Sequence, residues 1–273
     1  MSGVQTIAPR GRSARRDLPE PSTEWAYFLD FDGTLVELAA TPDGVNADES
    51  IRLLVQQLES LSGGALAIIS GRTIASLDAL LRSHHLSMAG QHGIERRTAS
   101  GVVQTLHPAR TLLDDARLVV ERTLRRFPAL TLEDKGLSLA LHYRAAPQLA
   151  SYAHRVMRAA CERAGRDYSV LRGKRVVELI PANANKGFAI QAFMAEPPFR
   201  DRRPVFIGDD RTDEAGFVTV NALGGISVKV GRGRTAAHWT LPDAGAVRNW
   251  LRSVAKPDNQ RATESTEVSV ANA

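Results

Sequence analysis

Five aspartates in two short clusters define the chemistry open to this chain. Asp30 and Asp32 stand in Asp30-Phe31-Asp32-Gly33-Thr34, and the others in Gly208-Asp209-Asp210-Arg211-Thr212-Asp213. Brought into one volume, these carboxylates repel and push one another's pKa upward, and a divalent cation would keep them ionised. Hard oxygen ligands with no cysteine or paired histidine favour magnesium. A carboxylate can also attack phosphorus or carry a proton. Ser70-Gly71-Arg72 adds a hydroxyl, and Asn185-Lys186-Gly187 adds a lysine. Asn185 is a natural N-cap, so Lys186 falls in a first helical turn, where a cation opposes the dipole by roughly 0.3 to 1 kcal/mol and calls for an anion. A nucleophilic carboxylate, a second carboxylate, a hydroxyl, a lysine and a magnesium-type acidic cluster together suit phosphoryl transfer. A Ser-His-Asp hydrolase lacks support, because the chain has no Gly-x-Ser-x-Gly elbow.

The elements that must position these groups are legible in the apolar pattern. Trp25 to Leu29, Ala65 to Ile69 and Pro204 to Ile207 read as apolar strands, and each runs directly into one of the polar clusters. Amphipathic helices follow the first two, carrying Ile51, Leu54, Val55, Leu58 and Leu61, then Ile74, Leu77, Leu80 and Leu81. A helix from about Thr212 to Val220 and a strand from Gly225 to Val230 follow the third. This alternation predicts an α/β fold whose Rossmann-like parallel sheet is covered on both faces. Ligands bind outside the carboxyl ends of such strands, so the clusters should converge there.

The middle of the chain has a different rhythm. A helix over 110–127, strands near 130–134 and 137–143, a helix around Leu149 to Ala160, and strands near 168–171 and 175–180 make an αββαββ block. We expect an inserted α+β domain at 107–181, splitting a core of 24–106 and 182–255. Disordered tails are expected at 1–23, which is basic, and at 256–273. By strand parity Lys174 and Glu178 should share one face.

Hydrophobic residues at 43% and charged residues at 24% describe a globular chain, which excludes wholesale disorder. The single cysteine, Cys161, permits no internal disulfide and fits a reducing cytoplasm. No apolar run approaches the roughly 20 residues of a membrane span, so no membrane partner is expected. The net charge of +5 is partly confined to Arg10, Arg12, Arg15 and Arg16 near the start, and no nucleic-acid reading motif accompanies it. Only five of the 35 basic residues are lysine, which makes each lysine a selective choice: Lys135, Lys174, Lys186, Lys229 and Lys256.

Asp-Phe-Asp-Gly-Thr, Ser-Gly-Arg, Asn-Lys-Gly and Gly-Asp-Asp with its following aspartate, in that order, resemble the motifs of haloacid-dehalogenase-like phosphatases. Ala89-Gly90-Gln91-His92-Gly93-Ile94-Glu95, Lys135-Gly136-Leu137-Ser138 with His142-Tyr143-Arg144, and Gly173-Lys174 with Glu178 narrow the resemblance to the trehalose-phosphatase family, over about residues 25 to 253. One departure is Val176, where some relatives carry a second basic residue. The resemblance implies that Asp30 attacks phosphorus to form an aspartyl-phosphate and that Asp32 acts as acid and then base. Asp30, Asp32 through its main-chain carbonyl, and Asp209 would hold Mg2+, supported by Asp210 and Asp213. Ser70 and Lys186 would bind the phosphoryl group. Gly71, Arg72, His92, Glu133, Lys135, His142, Arg144, Lys174 and Glu178 would face the sugar, with the insertion acting as a cap. The implied partner is a small sugar phosphate, trehalose 6-phosphate, handled by a cytoplasmic monomer. A phosphatase for a sucrose- or mannosyl-type phosphate, a phosphomutase and a non-catalytic sugar-phosphate sensor are the competing readings. The intact Asp30 and Asp32 pair argues against the sensor.

Overall fold

The computed structural model describes residues 17–39, 44–106 and 110–255. The chain begins with β1 (Trp25–Leu29), α1 (Glu49–Leu61), β2 (Leu66–Ile69), α2 (Ile74–Leu81), β3 (Ser87–Gly90), β4 (Glu95–Arg97) and β5 (Val103–Thr105). It continues with α3 (Arg110–Leu124), β6 (Thr131–Asp134), β7 (Leu139–His142), α4 (Ala150–Ala164), β8 (Tyr168–Gly173) and β9 (Val176–Pro181). It closes with α5 (Lys186–Met194), β10 (Arg203–Gly208), α6 (Glu214–Ala222), β11 (Ile226–Val230), β12 (Trp239–Leu241) and α7 (Ala244–Arg252).

Among the described residues one sheet runs β12-β11-β10-β1-β2-β3-β4-β5, parallel as far as β3 and antiparallel beyond it. Its central strands are apolar throughout because both faces are covered. Tyr27 and Leu29 of β1, with Leu66 and Ile68 of β2, join a core beneath α1, α2 and α7. The alternate residues Ala26, Phe28, Ala67 and Ile69 join Phe193 of α5 and Phe217 of α6 on the opposite face. The two-residue period of a strand thus divides one apolar run between two cores. Asp48, Thr73, Asn185 and Asp243 cap α1, α2, α5 and α7 through side-chain oxygens that accept a main-chain N–H inside each helix. Because Leu29 is in register with Ile207 and with Ile68, the chain leaves β1, β2 and β10 at one edge of the sheet.

A second sheet, β6-β7-β9-β8, is antiparallel and packs against α3 and α4 around its own core of Leu139, Leu141, Val177 and Leu179 with Ala116, Val120, Ala153 and Met157. No helix among the described residues is long and apolar enough to cross a membrane.

The structure departs from the sequence reading in several places. β3, with Ser-Met-Ala-Gly, and the charged strand β4, with Glu-Arg-Arg, were not expected, nor were β5, β12 and α7. The small residues of β3 and the charged residues of β4 left no apolar run to detect, although both strands are paired on each side. Of the tail expected at 1–23, residues 17–23 pack on the core: Pro21 is buried, Leu18 joins the apolar cluster, and Trp239 and Trp250 donate their indole N–H groups to the carbonyls of Asp17 and Pro19. The remainder of that expected tail, and 256–273, lie outside the described residues. The helix expected from Thr212 begins instead at Glu214, after a single 3-10 turn at Arg211–Asp213.

Candidate active site

Asp30 is the first residue after β1 and is 5% exposed. Its Oδ2 accepts a hydrogen bond from Thr34 Oγ1 at 3.0 Å, and its Oδ1 accepts one from Lys186 Nζ at 2.6 Å. Lys186 opens α5 behind the Asn185 cap and also donates to Asp213 Oδ1 at 2.5 Å. Two carboxylates thereby offset both its burial and its unfavourable place at a helix N-terminus. Asp213 is fully buried, and its Oδ2 accepts the Asp210 N–H at 2.8 Å. Burial drives the Asp30 pKa well above the ordinary carboxylate range in spite of Lys186, with Asp213 and Asp209 adding to the rise. Burial works against the charge on Lys186, yet Asp213 and Asp30 outweigh it and hold the lysine as an ammonium.

Carboxylate oxygens of Asp30, Asp209 and Asp213 lie within 4.8 Å of one another. Burial, followed by the charge of Asp213, pushes the Asp209 carboxyl up to about 6. Oxygen donors that strain against one another's charge fit a hard cation such as magnesium. Lys186 and the Asp210 N–H hold both oxygens of Asp213, and Thr34 and Lys186 hold both oxygens of Asp30, so one lysine already balances part of the cluster's charge. Gly33 borders the same space: its φ is +83°, and a Cβ there would lie 2.4 Å from Asp209 Oδ2.

Asp32 points to a different partner. Arg72 donates Nε to Asp32 Oδ2 at 2.7 Å and a terminal nitrogen to Oδ1 at 2.8 Å, a fork that fixes the carboxylate plane. Ser70 is 1% exposed, and its hydroxyl accepts the Arg72 N–H at 3.1 Å.

The inserted unit closes the other wall of the cleft. Glu133 Oε2 and His142 Nε2 lie 2.9 Å apart, their side chains 42% and 20% exposed, and this bond holds Glu133 below the usual carboxylate range. Lys135 Nζ donates to the Gly71 carbonyl at 2.8 Å and to Glu178 Oε2 at 3.1 Å. Glu178 Oε1 lies 3.2 Å from His92 Nε2. Burial would raise the Glu178 pKa, but Lys135 and His92 hold it well below the ordinary value. Arg144 donates to the carbonyl of Ala39.

Lys174 and Glu178 do not share a strand face. Lys174 sits in the turn between β8 and β9, where Arg175 adopts φ +65°, and the turn breaks the parity. Its N–H donates to Asp210 Oδ2 at 2.9 Å, and its Nζ approaches Asp209 Oδ2 at 3.5 Å. Glu178, by contrast, is buried in β9. Sequence reasoning also passed over two contributors. Ser138 donates to Gln91 Oε1 at 2.7 Å across the seam, and Lys229 reaches the Asp209 main chain. The rarity of lysine was the available signal for the second.

A parallel α/β sheet with acidic turns after β1 and β10 defines the fold class of haloacid-dehalogenase-like hydrolases. It resembles the structure of a haloacid dehalogenase-like hydrolase from Bacteroides thetaiotaomicron at a TM-score of 0.58 and 15% identity, covering 84% of this chain and 98% of that one. The fold is closer to the C-terminal domain of Candida albicans trehalose-6-phosphate phosphatase, with a TM-score of 0.76, 22% identity, and 85% and 92% of the two chains covered. The trehalose-phosphatase family profile matches residues 28–243. Trehalose-6-phosphate phosphatase of Escherichia coli K12 is 42% identical over 242 residues, 87% of this chain and 89% of that protein. The chain belongs to the trehalose-phosphatase family.

Proposed function

We propose that the chain hydrolyses trehalose 6-phosphate to trehalose and phosphate as the last step of trehalose synthesis. The observation that carries this reading is the buried Asp30 carboxylate, held between Thr34 and Lys186 with Asp209 alongside, opposite a polar wall supplied by the insertion. Asp30 attacks phosphorus while the bond from phosphorus to the sugar oxygen breaks, and Asp32 gives that oxygen a proton. Asp32 then takes a proton from water as the water attacks phosphorus and the bond from phosphorus to Asp30 breaks, which releases phosphate, frees the Asp30 carboxylate and returns Asp32 to its protonated form. Mg2+ held by Asp30, Asp209 and the Asp32 carbonyl would neutralise charge on the phosphoryl oxygens. Lys186 and Ser70 orient the phosphoryl group, with Asp210 and Asp213 supporting the acidic turn.

Arg72 orients Asp32 through its two-point bond. Residues 107–181 act as a cap on a core of 24–106 and 182–255. Of the groups expected to meet the sugar, Glu133, His142 and Lys174 present partly exposed polar heads to the cleft. Lys135 and Glu178, each with a side chain 7% exposed, also tie the cap to His92 and Gly71. Acidic turn and polar wall come from one chain, which supports a working monomer. A cytoplasmic place fits its single cysteine.

The test is phosphate release from a panel of sugar phosphates, with and without chelator, by the parent and Asp30→Asn. Trehalose 6-phosphate should be preferred, chelator should abolish release, and Asp30→Asn should lower turnover by at least about a thousandfold with the fold intact. Preference for another sugar phosphate would reassign the substrate, and turnover of Asp30→Asn within tenfold of the parent would remove the nucleophile.

A further inference from the structure

We propose that Lys229 is a positioning residue for Asp209, setting where that carboxylate meets a divalent cation; the proposal rests on the metal reading above. Lys229 lies in β11, whose five residues are all buried, and is itself 6% exposed. β11 runs parallel to β10 with Lys229 in register with Gly208, the residue before Asp209. From there Lys229 Nζ donates to the main-chain carbonyl of Asp209. A buried ammonium carries a desolvation cost of several kcal/mol unless its charge and protons are used. Here the charge is used on the chain segment that delivers the cation's ligand.

Other groups hold the flanks of that segment: the Lys174 N–H donates to Asp210 Oδ2 at 2.9 Å, Lys174 Nζ approaches Asp209 Oδ2 at 3.5 Å, and the Asp210 N–H donates to Asp213 Oδ2 at 2.8 Å. Asp210 is fixed from its own side by the reciprocal capping bonds with Asp213. Gly208 lies against Asp213, where a Cβ would fall 2.4 Å from its Cγ. The Asp209 carboxylate lies against Gly33, with 2.4 Å between its Oδ2 and a Cβ built there. The peptide that follows Asp209 is the point where rotation would swing the carboxylate, and Lys229 holds the oxygen of that peptide. Because the bond goes to the main chain, the lysine fixes geometry without occupying a carboxylate oxygen that a cation needs. A chain that uses lysine at only five of 35 basic positions places one of them here. The slender stem passes along a buried strand, and a compact ammonium reaches one carbonyl, where a planar guanidinium would need more room.

Calorimetric titration of the full chain with Mg2+ alone tests this, using Lys229→Met, which keeps length and loses the donor, and Lys229→Gln, which is shorter. Groups that orient a ligand typically change metal affinity by about 10- to 100-fold, so Lys229→Met should weaken Mg2+ binding by at least about tenfold. The Mg2+ needed for half-maximal phosphate release should rise in parallel. At saturating Mg2+ the KM for the sugar phosphate should stay within about twofold, a split that a merely structural role would not produce. If the folded Met or Gln variant binds Mg2+ as the parent does, the proposal is overturned while the metal reading stands. If neither variant folds, Lys229 serves the fold and the proposal is overturned. If the parent binds no Mg2+, the metal reading fails and takes this proposal with it.

Discussion

Asp209 shows how a site residue can oppose the stability of its own fold. Its carboxyl is raised from an ordinary 3.8 to about 6 by burial and by Asp213, so the folded state holds the proton more tightly than the unfolded state does. Without a cation, this group therefore costs stability as pH rises from about 4 through about 6, and the loss is complete at neutral pH. Asp209→Asn in chelator should gain about 1 to 3 kcal/mol at pH 7.5 and close to nothing at pH 4. With Mg2+ the sign should reverse, because a cation held there as proposed would favour the ionised carboxylate. Thermal melts of the parent should show a Mg2+-induced rise that is large at pH 7.5 and small at pH 5, and Asp209→Asn should show little rise at either. A rise of equal size at both values would remove Asp209 from the cation site. The neighbouring Asp30 follows the same logic, with Lys186 supplying part of the charge that a cation would complete.

Helix α5 carries Lys186 to Asp30, and its seat on α6 is set by one glycine. A Cβ at Gly187 would lie 2.5 Å from Thr219 Oγ1 and 2.7 Å from the carbonyl oxygen of Ala215. The threonine can rotate, but the main-chain oxygen of α6 cannot yield without moving the helix. Alanine would gain at most about 1 kcal/mol in helix propensity, whereas overpacking costs about 1 to 3 kcal/mol. Gly187→Ala should therefore lose about 1 to 2 kcal/mol in urea unfolding, and turnover should fall as Lys186 shifts from Asp30. Phe188→Ala, at a position 54% exposed on the same helix, should stay within about 0.5 kcal/mol of the parent. Equal losses for both would mean that the helix surface, not its approach to α6, sets the stability. This glycine was legible only as a member of a motif, since its reason lies in a helix that follows nearly 30 residues on. The strands β1, β2 and β10 were legible because burial on both faces demands an unbroken apolar run. β4 and β5 were not, because an antiparallel margin half open to water makes no such demand. The parity placing Lys174 with Glu178 failed because a two-residue periodicity ends wherever a turn intervenes.

At the scale of the whole molecule, the two units meet through polar links that join the insertion to loops at the carboxyl ends of core strands. Lys135 reaches the Gly71 carbonyl, Glu178 reaches His92, Ser138 reaches Gln91, and the Lys174 N–H reaches Asp210. The sequence showed that these types were present, but pairings as far as 86 residues apart leave no local signature. Glu178 is the link with the most at stake, since it balances a lysine and a histidine in a seam closed to water. Removing its charge leaves the buried Lys135 ammonium with neutral acceptors and the less direct charge of Glu133, which costs more than losing an exposed pair. Glu178→Gln should destabilise the chain by about 2 to 4 kcal/mol in urea unfolding at pH 7.5. The acid limb gives the sign independently. Because the folded pKa lies well below the ordinary 4.5, the stabilisation from Glu178 is present above that value and is lost as pH falls beneath it. The parent should thus weaken more steeply than Glu178→Gln below about pH 4.5. Catalysis should divide in a related way. If the insertion closes over the disaccharide as proposed, remote contacts orient the ester, so Glu178→Gln should lower kcat/KM for trehalose 6-phosphate by an amount worth about 2 to 4 kcal/mol. A small aryl phosphate gains little from the cap and should change far less. Equal losses for the two substrates, with the same acid limb in parent and variant, would show that Glu178 does not couple the units, and the proposed sugar contacts would then rest on Glu133, His142 and Lys174.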